Sequence, residues 1–286
     1  MIALTILRRL VLALSLAGVC FSGAGAFADE KRPVVHLVAI GDLDVGGRFG
    51  TKVAEDARNT VVTFREAFAN AGRSDQLKSH LVLGKDVNPD HVLRLINNLP
   101  VQPQDTLVVL FSGHGGMRAR NDHILAFHHG ALAKNRLLSA MTAKAPRLSV
   151  LLTDCCSDGV ERRHVAPKYQ PKSMTGGTVM EWNTLESLFL RHSGLVEITA
   201  SEPGFSAQLD DVKAGSLFTN ALIRVLKTPH GELIRHLDRD GDRNLQWDEI
   251  LPELRALAAK YHRDQYGSDR QQAFATSLGK WLPSNR

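Results

Sequence analysis

Two apolar runs in the sequence end in reactive side chains. TLVVLFS is followed by Gly113 and His114, and LSVLLTD is followed by Cys155 and Cys156. A thiol with an ordinary pKa of about 8.5 is mostly protonated at neutral pH, and a neighbouring imidazolium lowers that pKa to give a nucleophilic thiolate. The same imidazole can later protonate a leaving amine. The residue types therefore predict a catalytic pair of Cys156 and His114, if the fold brings them together.

Small residues surround both positions. Glycine lets a backbone approach a substrate closely and adopt conformations that other residues avoid. We predict that the backbone N–H groups of Gly115 and Cys156 form an oxyanion hole. Taken alone, SGHGG is more often just a glycine-rich turn after a strand.

The elements that must position these residues are strands alternating with helices. Apolar runs predict strands at 33–42, 79–84, 105–113, 123–127, 148–154 and 195–201, with amphipathic helices between them, including one over 131–144. This order predicts an α/β fold, a mostly parallel central sheet with helices on both faces. Function in such sheets gathers at the carboxyl ends of the strands, where His114 and Cys156 would both emerge.

The first 28 residues have the pattern of an export signal. Arg8 and Arg9 precede an apolar segment, and AFA ends at Ala28 in the form that a signal peptidase cleaves. We therefore expect a mature protein over 29–286 that is periplasmic or secreted and not in the membrane. Two alternatives stay open: a retained anchor helix, and lipidation at Cys20, which Val19 disfavours.

The overall composition is that of an ordinary globular protein. The chain has 286 residues, 43% of them hydrophobic and 23% charged, with a formal net charge of +5. The charge is mild and dispersed, so we expect no nucleic-acid partner. After signal removal only the adjacent Cys155 and Cys156 remain, and a bridge between neighbours closes almost no loop. These thiols are therefore inert and buried, reactive, or, as a weaker alternative, a disulfide-exchange pair.

LVVLFSGHGG and LSVLLTDCCSDG together resemble the caspase-like cysteine peptidases, in particular the metacaspase and bacterial branch. A third block, VEITAS followed by SLFTNALIRVL, is similar to the family's small-subunit region, so the resemblance covers about residues 33 to 260. It implies a caspase-haemoglobinase-like fold, an acyl-enzyme mechanism and protein or peptide substrates. It also implies a large part over about 33–160, an exposed loop over about 160–181 and a small part over about 182–286.

The resemblance further implies a substrate pocket lined by Asp56, Ser112 and Asp154. Two carboxylates in a partly desolvated pocket favour a long cation, so cleavage after Arg or Lys is expected. The alternatives are a solvated helix charge for Asp56 and a strand-end carboxylate for Asp154. Basic residues in the 160–181 loop make self-cleavage a further hypothesis, against an ordinary variable loop: Arg162, Arg163, Lys168 and Lys172.

One departure from the family concerns the residues after the nucleophile. The family usually has His-Ser-Gly, whereas this chain has Ser157, Asp158 and Gly159. A carboxylate beside a thiolate raises the thiol pKa and blunts its reactivity. An inactive caspase-like scaffold that acts as a calcium-dependent binding protein is therefore the alternative function.

The segment DRDGDRNLQWDE, residues 238–249, has the EF-hand pattern of a calcium loop. Position six is Arg243, where glycine is usual because the turn needs a positive φ. We expect weak calcium binding, in the millimolar range of extracellular modules, at about 10⁻³ M, and the alternative is a merely acidic loop. The predicted ligands are Asp238, Asp240, Asp242, Asn244 and Glu249, with Gln246 acting through water.

Overall fold

The predicted alternation of strands and helices is present in the computed structural model, which describes residues 32–43, 47–84, 87–119, 122–159 and 169–282. The predicted signal segment lies outside these residues. The strands are β1 (Val35–Gly41), β2 (Leu77–Leu83), β3 (Thr106–Ser112), β4 (His114–Ala119), β5 (Asp122–Phe127), β6 (Gly130–Ala133), β7 (Leu148–Asp154), β8 (His192–Thr199) and β9 (Phe274–Trp281). The helices are α1 (Gly47–Asn70), α2 (Pro89–Asn98), α3 (Lys134–Ala143), α4 (Trp182–Leu185), α5 (Leu217–Lys227), α6 (His230–Leu237) and α7 (Trp247–Tyr266).

Six strands form the central sheet, in the order β2-β1-β3-β7-β8-β9. The first five are parallel, and β9 pairs antiparallel with β8 at one edge. The apolar runs of β1, β3 and β7 are buried along their whole length, as strands covered on both faces must be. This arrangement confirms the predicted mostly parallel α/β fold.

Helices cover both faces of the sheet. One apolar cluster joins the sheet to α1, α5, α6 and α7, and includes Phe64, Phe218 and Trp247. The other joins the opposite face to α2, α3 and the short strands, and includes Ile96 and Leu125. Because the core covers both faces of the sheet, a site on the sheet itself can form at the strand ends. None of the helices in the described part of the chain is both long and apolar enough for a membrane span.

A three-stranded antiparallel sheet, β4-β5-β6, corrects two local expectations. SGHGG is not a turn: His114 begins β4, which pairs with β5 in a ladder that matches His114 with Ala126. The first residues of the predicted helix over 131–144 form β6 instead, and the helix α3 begins at Lys134. Glycine and alanine have low strand propensity, so the sequence gives no strand signal for β4 and β6. These strands form because they pair with β5.

The predicted 160–181 loop is only partly described, because residues 160–168 lie outside the described ranges. From 169 to 181 the chain has no helix or strand, as expected. It is not wholly exposed, since Met174 and Met180 are 5% and 1% exposed. Its backbone is tied to the small part, where Lys172 N donates to Glu253 and Gly177 N donates 2.8 Å to Lys227 O.

Candidate active site

His114 and Cys156 follow two strands that lie side by side in register. Ser112, the last residue of β3, pairs with Asp154, the last residue of β7. Beyond this pair the two segments stay together, because Gly113 N donates to Asp154 O at 3.1 Å. His114 and Cys156 therefore leave the sheet at the same edge, each two residues beyond paired strand ends.

Gly115 lies directly against the cysteine segment. A β-carbon built on it would lie 2.6 Å from Cys155 Sγ and 3.0 Å from Cys156 O. Any larger residue would push the histidine segment away from the cysteine segment. Further along, Met117 N donates to Asp158 O at 2.6 Å, so the contact continues past Cys156. Both predicted oxyanion residues, Gly115 and Cys156, thus lie along this contact between the two segments.

The His114 side chain is exposed and stacks on an aromatic ring. Phe49, in the first turn of α1, lies with its ring centroid 4.0 Å from that of His114 and with the two planes only 4° apart. Aromatic pairs contribute about 0.5–1.5 kcal/mol beyond the area that they bury. Phe49 was not anticipated from the sequence, because one aromatic residue after a glycine-rich turn carries no pattern.

The Cys156 thiol is half-buried and hydrogen-bonded to the backbone. Its Sγ lies 3.6 Å from Ala207 O, to which the S–H donates. Burial raises the pKa of Cys156, and the Asp158 charge raises it further. The thiol is therefore protonated at neutral pH in this arrangement, and it must leave Ala207 to transfer its proton to an imidazole.

A different thiol–imidazole contact lies beneath this site. Cys155 Sγ is 3.5 Å from His123 Nε2, and both side chains are buried. Burial, followed by the Asp154 charge, raises the pKa of Cys155 well above its usual value, and burial lowers the pKa of His123 to about 4. Both groups are neutral at neutral pH and are buried away from any substrate. This contact is therefore a packing contact in the core.

The three predicted pocket residues lie together. Ser112 Oγ donates to Asp56 Oδ2 at 2.7 Å, and Asp56 and Asp154 are 1% and 3% exposed. Asp56 is therefore not a solvated helix charge. Burial raises the pKa of both carboxyl groups, and the charge of Asp154 raises that of Asp56 further.

Both carboxylates are bound to the start of α5. Ser216, the residue before the helix, donates its N–H to Asp56 Oδ1 at 2.9 Å and its hydroxyl to Asp154. Thr219 Oγ1 donates to the same Asp154 oxygen at 2.6 Å. Neither Ser216 nor Thr219 was anticipated as a site residue, although Ser before an apolar helix signals a helix cap. Gly215 lies directly against Asp56, because a β-carbon there would lie 2.2 Å from Asp56 Oδ1.

The predicted calcium loop has part of its ligand set in place. Asp238, Asp240 and Asp242 each have a carboxylate oxygen within 4.8 Å of the others. Arg243 has φ of +63°, the left-handed conformation that position six requires. Glu249 is not in the group, since it accepts hydrogen bonds from Arg239 N at 2.6 Å and Gln246 N at 3.1 Å.

Asn244 also turns towards the loop's own backbone. Its side-chain amide donates to Asp242 O at 2.9 Å. Gln246, the predicted water-mediated ligand, donates to Asp240 Oδ2 at 2.9 Å. The loop thus has three carboxylates close together, whereas the side chains of Asn244, Gln246 and Glu249 form hydrogen bonds with other groups of the protein.

Comparison with known proteins places these residues in a family. A family model described as the caspase domain matches residues 54–240, a range that contains His114 and Cys156. The crystal structure of caspase-1 from Spodoptera frugiperda is similar with a TM-score of 0.49 and 13% sequence identity, over 86% of each chain. No curated protein matches the sequence. Since the family model spans well over half of the residues, the chain belongs to the cysteine peptidases built on the caspase domain.

Proposed function

We propose that this protein is an exported cysteine endopeptidase in which Cys156 is the nucleophile and His114 the general base and acid. One observation carries the proposal: the seam between β4 and the segment after β7, which brings both residues to one sheet edge within a caspase domain. Exposure of His114 and partial exposure of Cys156 leave both groups open to a peptide.

In the proposed reaction, Cys156 Sγ gives its proton to His114 and attacks the scissile carbonyl carbon. The carbonyl oxygen becomes an oxyanion, which the N–H groups of Gly115 and Cys156 would stabilise. His114 then gives the proton to the leaving amine as the C–N bond breaks. Water, deprotonated by His114, attacks the resulting thioester and frees the carboxylate product and the thiol.

The experiment compares two alanine variants of the mature protein on fluorogenic peptides. Cys156→Ala is expected to lower kcat by at least about a thousandfold, as loss of a nucleophile does. Cys155→Ala, which removes a buried thiol one residue away, is the matched control and is expected to keep most activity. The reverse pattern would move the nucleophile to Cys155 and its base to His123.

We propose cleavage after Arg or Lys, supported by the buried cluster of Asp56, Ser112 and Asp154. For a substrate cation to reach these carboxylates, the 210–216 segment that covers them must move. Peptides with Arg before the scissile bond should be cleaved faster than matched peptides with Asp. Asp56→Asn should raise KM for the Arg peptide, and equal rates on both peptides would exclude an acidic pocket.

Calcium modulation is a separate part of the proposal. Three converging aspartates and the left-handed Arg243 support weak binding at 238–249. Calorimetric titration with Ca²⁺ should give a dissociation constant of about 1 mM. Asp240→Asn should abolish the signal, whereas Asp264→Asn, which removes an exposed carboxylate from α7, should not. Hydrolysis assays with and without Ca²⁺ then show whether binding changes activity.

Export and self-cleavage are proposals with direct chemical tests. N-terminal sequencing of the protein recovered from the exporting host should begin at Asp29, after Ala28. Self-cleavage within the 160–181 loop should yield two fragments from the wild type and one intact chain from Cys156→Ala.

One observation favours the alternative, a calcium-dependent binding protein without peptidase activity. The Cys156 thiol is hydrogen-bonded to Ala207 O, and burial and Asp158 raise its pKa. Calcium binding with no hydrolysis of any peptide tested would support this alternative.

A further inference from the structure

His123 lies on the inner face of the hairpin that begins with His114. It belongs to β5, pairs with Met117 of β4, and is only 4% exposed. Residues on β5 alternate between partial and full burial, so His123 shares the inner face with Leu125 and Phe127. His123 therefore links β4, the strand that begins with the predicted base His114, to the groups that the His123 ring contacts.

The ring contacts the backbone of the predicted nucleophile. His123 Nε2 lies 2.9 Å from Cys156 O and 3.5 Å from Cys155 Sγ. A carbonyl oxygen only accepts hydrogen bonds, so Nε2 carries the proton and donates it. The assignment of the ring tautomer follows from this bond.

The environment of the ring keeps it neutral. Burial lowers the pKa of His123 to about 4, and the nearby Lys134 charge lowers it as well. The carbonyl of Cys156 and the carboxylates of Glu197 and Asp158 act in the opposite direction but do not prevail. A ring that stays neutral near pH 7 holds its hydrogen bond and exchanges no proton with the reaction.

The Cys156 carbonyl sits where three constraints meet. His123 donates to it from one side, and Gly115 of the His114 segment packs against it from another. The next residue, Ser157, donates its N–H to Phe205 O at 2.9 Å. Holding the carbonyl restrains the Cα of Cys156, from which the Sγ and the N–H of the same residue extend, and a displacement of about 1 Å at a reacting group can cost about a hundredfold in rate.

We propose that His123 is a positioning residue, which holds Cys156 against the His114 segment through its Nε2–H hydrogen bond to the Cys156 carbonyl. The inference rests on the proposed Cys156/His114 peptidase. It assigns no proton transfer to His123, which separates it from a general base.

Kinetics of three variants test the proposal. His123→Leu removes the donor and should lower kcat about 10- to 100-fold with KM nearly unchanged. His123→Gln keeps an amide N–H at comparable reach and should recover most of kcat. His128→Leu changes an exposed histidine beside the same hairpin and should have no effect. Wild-type kcat in a folded His123→Leu protein would overturn the proposal.

Two further measurements keep the test decisive if His123→Leu does not fold. His123→Asn and His123→Gln are both polar, but only glutamine reaches the carbonyl, so equal kcat in the two would overturn the proposal. A general-base role would instead shift the acidic limb of the pH–rate profile, which is expected to coincide in wild type and His123→Gln.

A spectroscopic readout is independent of activity. In ¹⁵N-histidine-labelled protein, the His123 ring should show the neutral Nε2–H tautomer from about pH 6 to about pH 8. A ring that protonates near its ordinary pKa of about 6.5 would overturn the inference. If the wild type shows this tautomer but has no peptidase activity, the proposed function is wrong. The hydrogen bond from His123 to the Cys156 carbonyl would still be supported.

Discussion

At the residue scale, burial and the charge of Asp158 both raise the pKa of Cys156. Its S–H donates to Ala207 O, a bond that exists only while the thiol is protonated. Asp158 is held beside the thiol, since its Oδ2 accepts a hydrogen bond from Ser206 Oγ at 3.1 Å. The carboxylate that departs from the family's usual His-Ser-Gly therefore acts directly on Cys156.

Asp158→Asn should make Cys156 a better nucleophile near neutral pH. Removing the negative charge lowers the thiol pKa, so the rising limb of kcat/KM against pH should move to lower pH. Alkylation of Cys156 by iodoacetamide at pH 7 should speed up by at most about tenfold, the effect of one pKa unit. Asp264→Asn is the control for charge alone, and an unmoved profile in Asp158→Asn would show that solvent screens Asp158.

Phe49→Leu tests whether stacking holds the predicted base. The His114 ring lies parallel to Phe49 at 4.0 Å, and loss of the stack should cost about 1 kcal/mol, or about fivefold in kcat. Phe49→Tyr keeps the ring and should behave as wild type. Equal kcat in the Leu and Tyr variants would mean that the imidazole needs no aromatic support.

At the element scale, Asp56 connects α1 to the start of α5 through a buried carboxyl group. Burial and the Asp154 charge raise its pKa in the folded protein, so the group is more easily ionised in the unfolded chain. The unfolded state therefore binds fewer protons, and the stability due to this group falls as pH rises above about 4 through the folded pKa. Below the unfolded pKa that contribution is fully present.

Asp56→Asn should remove this pH dependence. Asparagine cannot ionise, so the variant's free energy of unfolding relative to wild type should become more favourable as pH rises from about 4 to about 8. Urea unfolding across that range measures the difference. A constant difference would mean that hydrogen bonds from Ser112 and Ser216 keep the carboxylate ionised throughout.

The sequence predicts those elements that carry a strong pattern. The buried runs of β1, β3 and β7 are found as predicted. It does not predict β4, because glycine-rich strands depend on the hairpin partner and not on propensity. The antiparallel β9 was not assigned either, since its pairing with β8 is made across the fold.

The same limit applies to the candidate site. Residue types and strand-end positions are enough to bring His114 and Cys156 to one edge. The contacts of Phe49 and Ser216 arise only when α1 and α5 meet the sheet. His123 is intermediate: period-two alternation in DHILAF places it on the buried face with Leu125 and Phe127, a signal that could have singled it out.

At the scale of the whole molecule, one sheet joins the predicted large and small parts. Strand β7 of the large part pairs in parallel with β8 of the small part from Leu148 to Thr153. A buried ion pair adds to this contact, because Lys134 Nζ of α3 lies 2.5 Å from Glu197 Oε1 of β8, with side chains 11% and 10% exposed. The two parts are thus connected independently of the loop between them.

Lys134→Met should destabilise the fold strongly, by about 3–5 kcal/mol, because it leaves Glu197 buried and unpaired. Lys134→Met combined with Glu197→Leu should recover most of this loss, since an apolar pair of similar volume replaces the ions. Lys260→Met, which breaks an exposed ion pair with Asp264, should cost at most about 1 kcal/mol. Urea unfolding measures the free energy of unfolding of each of these variants. A Lys134→Met cost no larger than that of Lys260→Met would mean that Glu197 is solvated and that the sheet pairing alone joins the two parts.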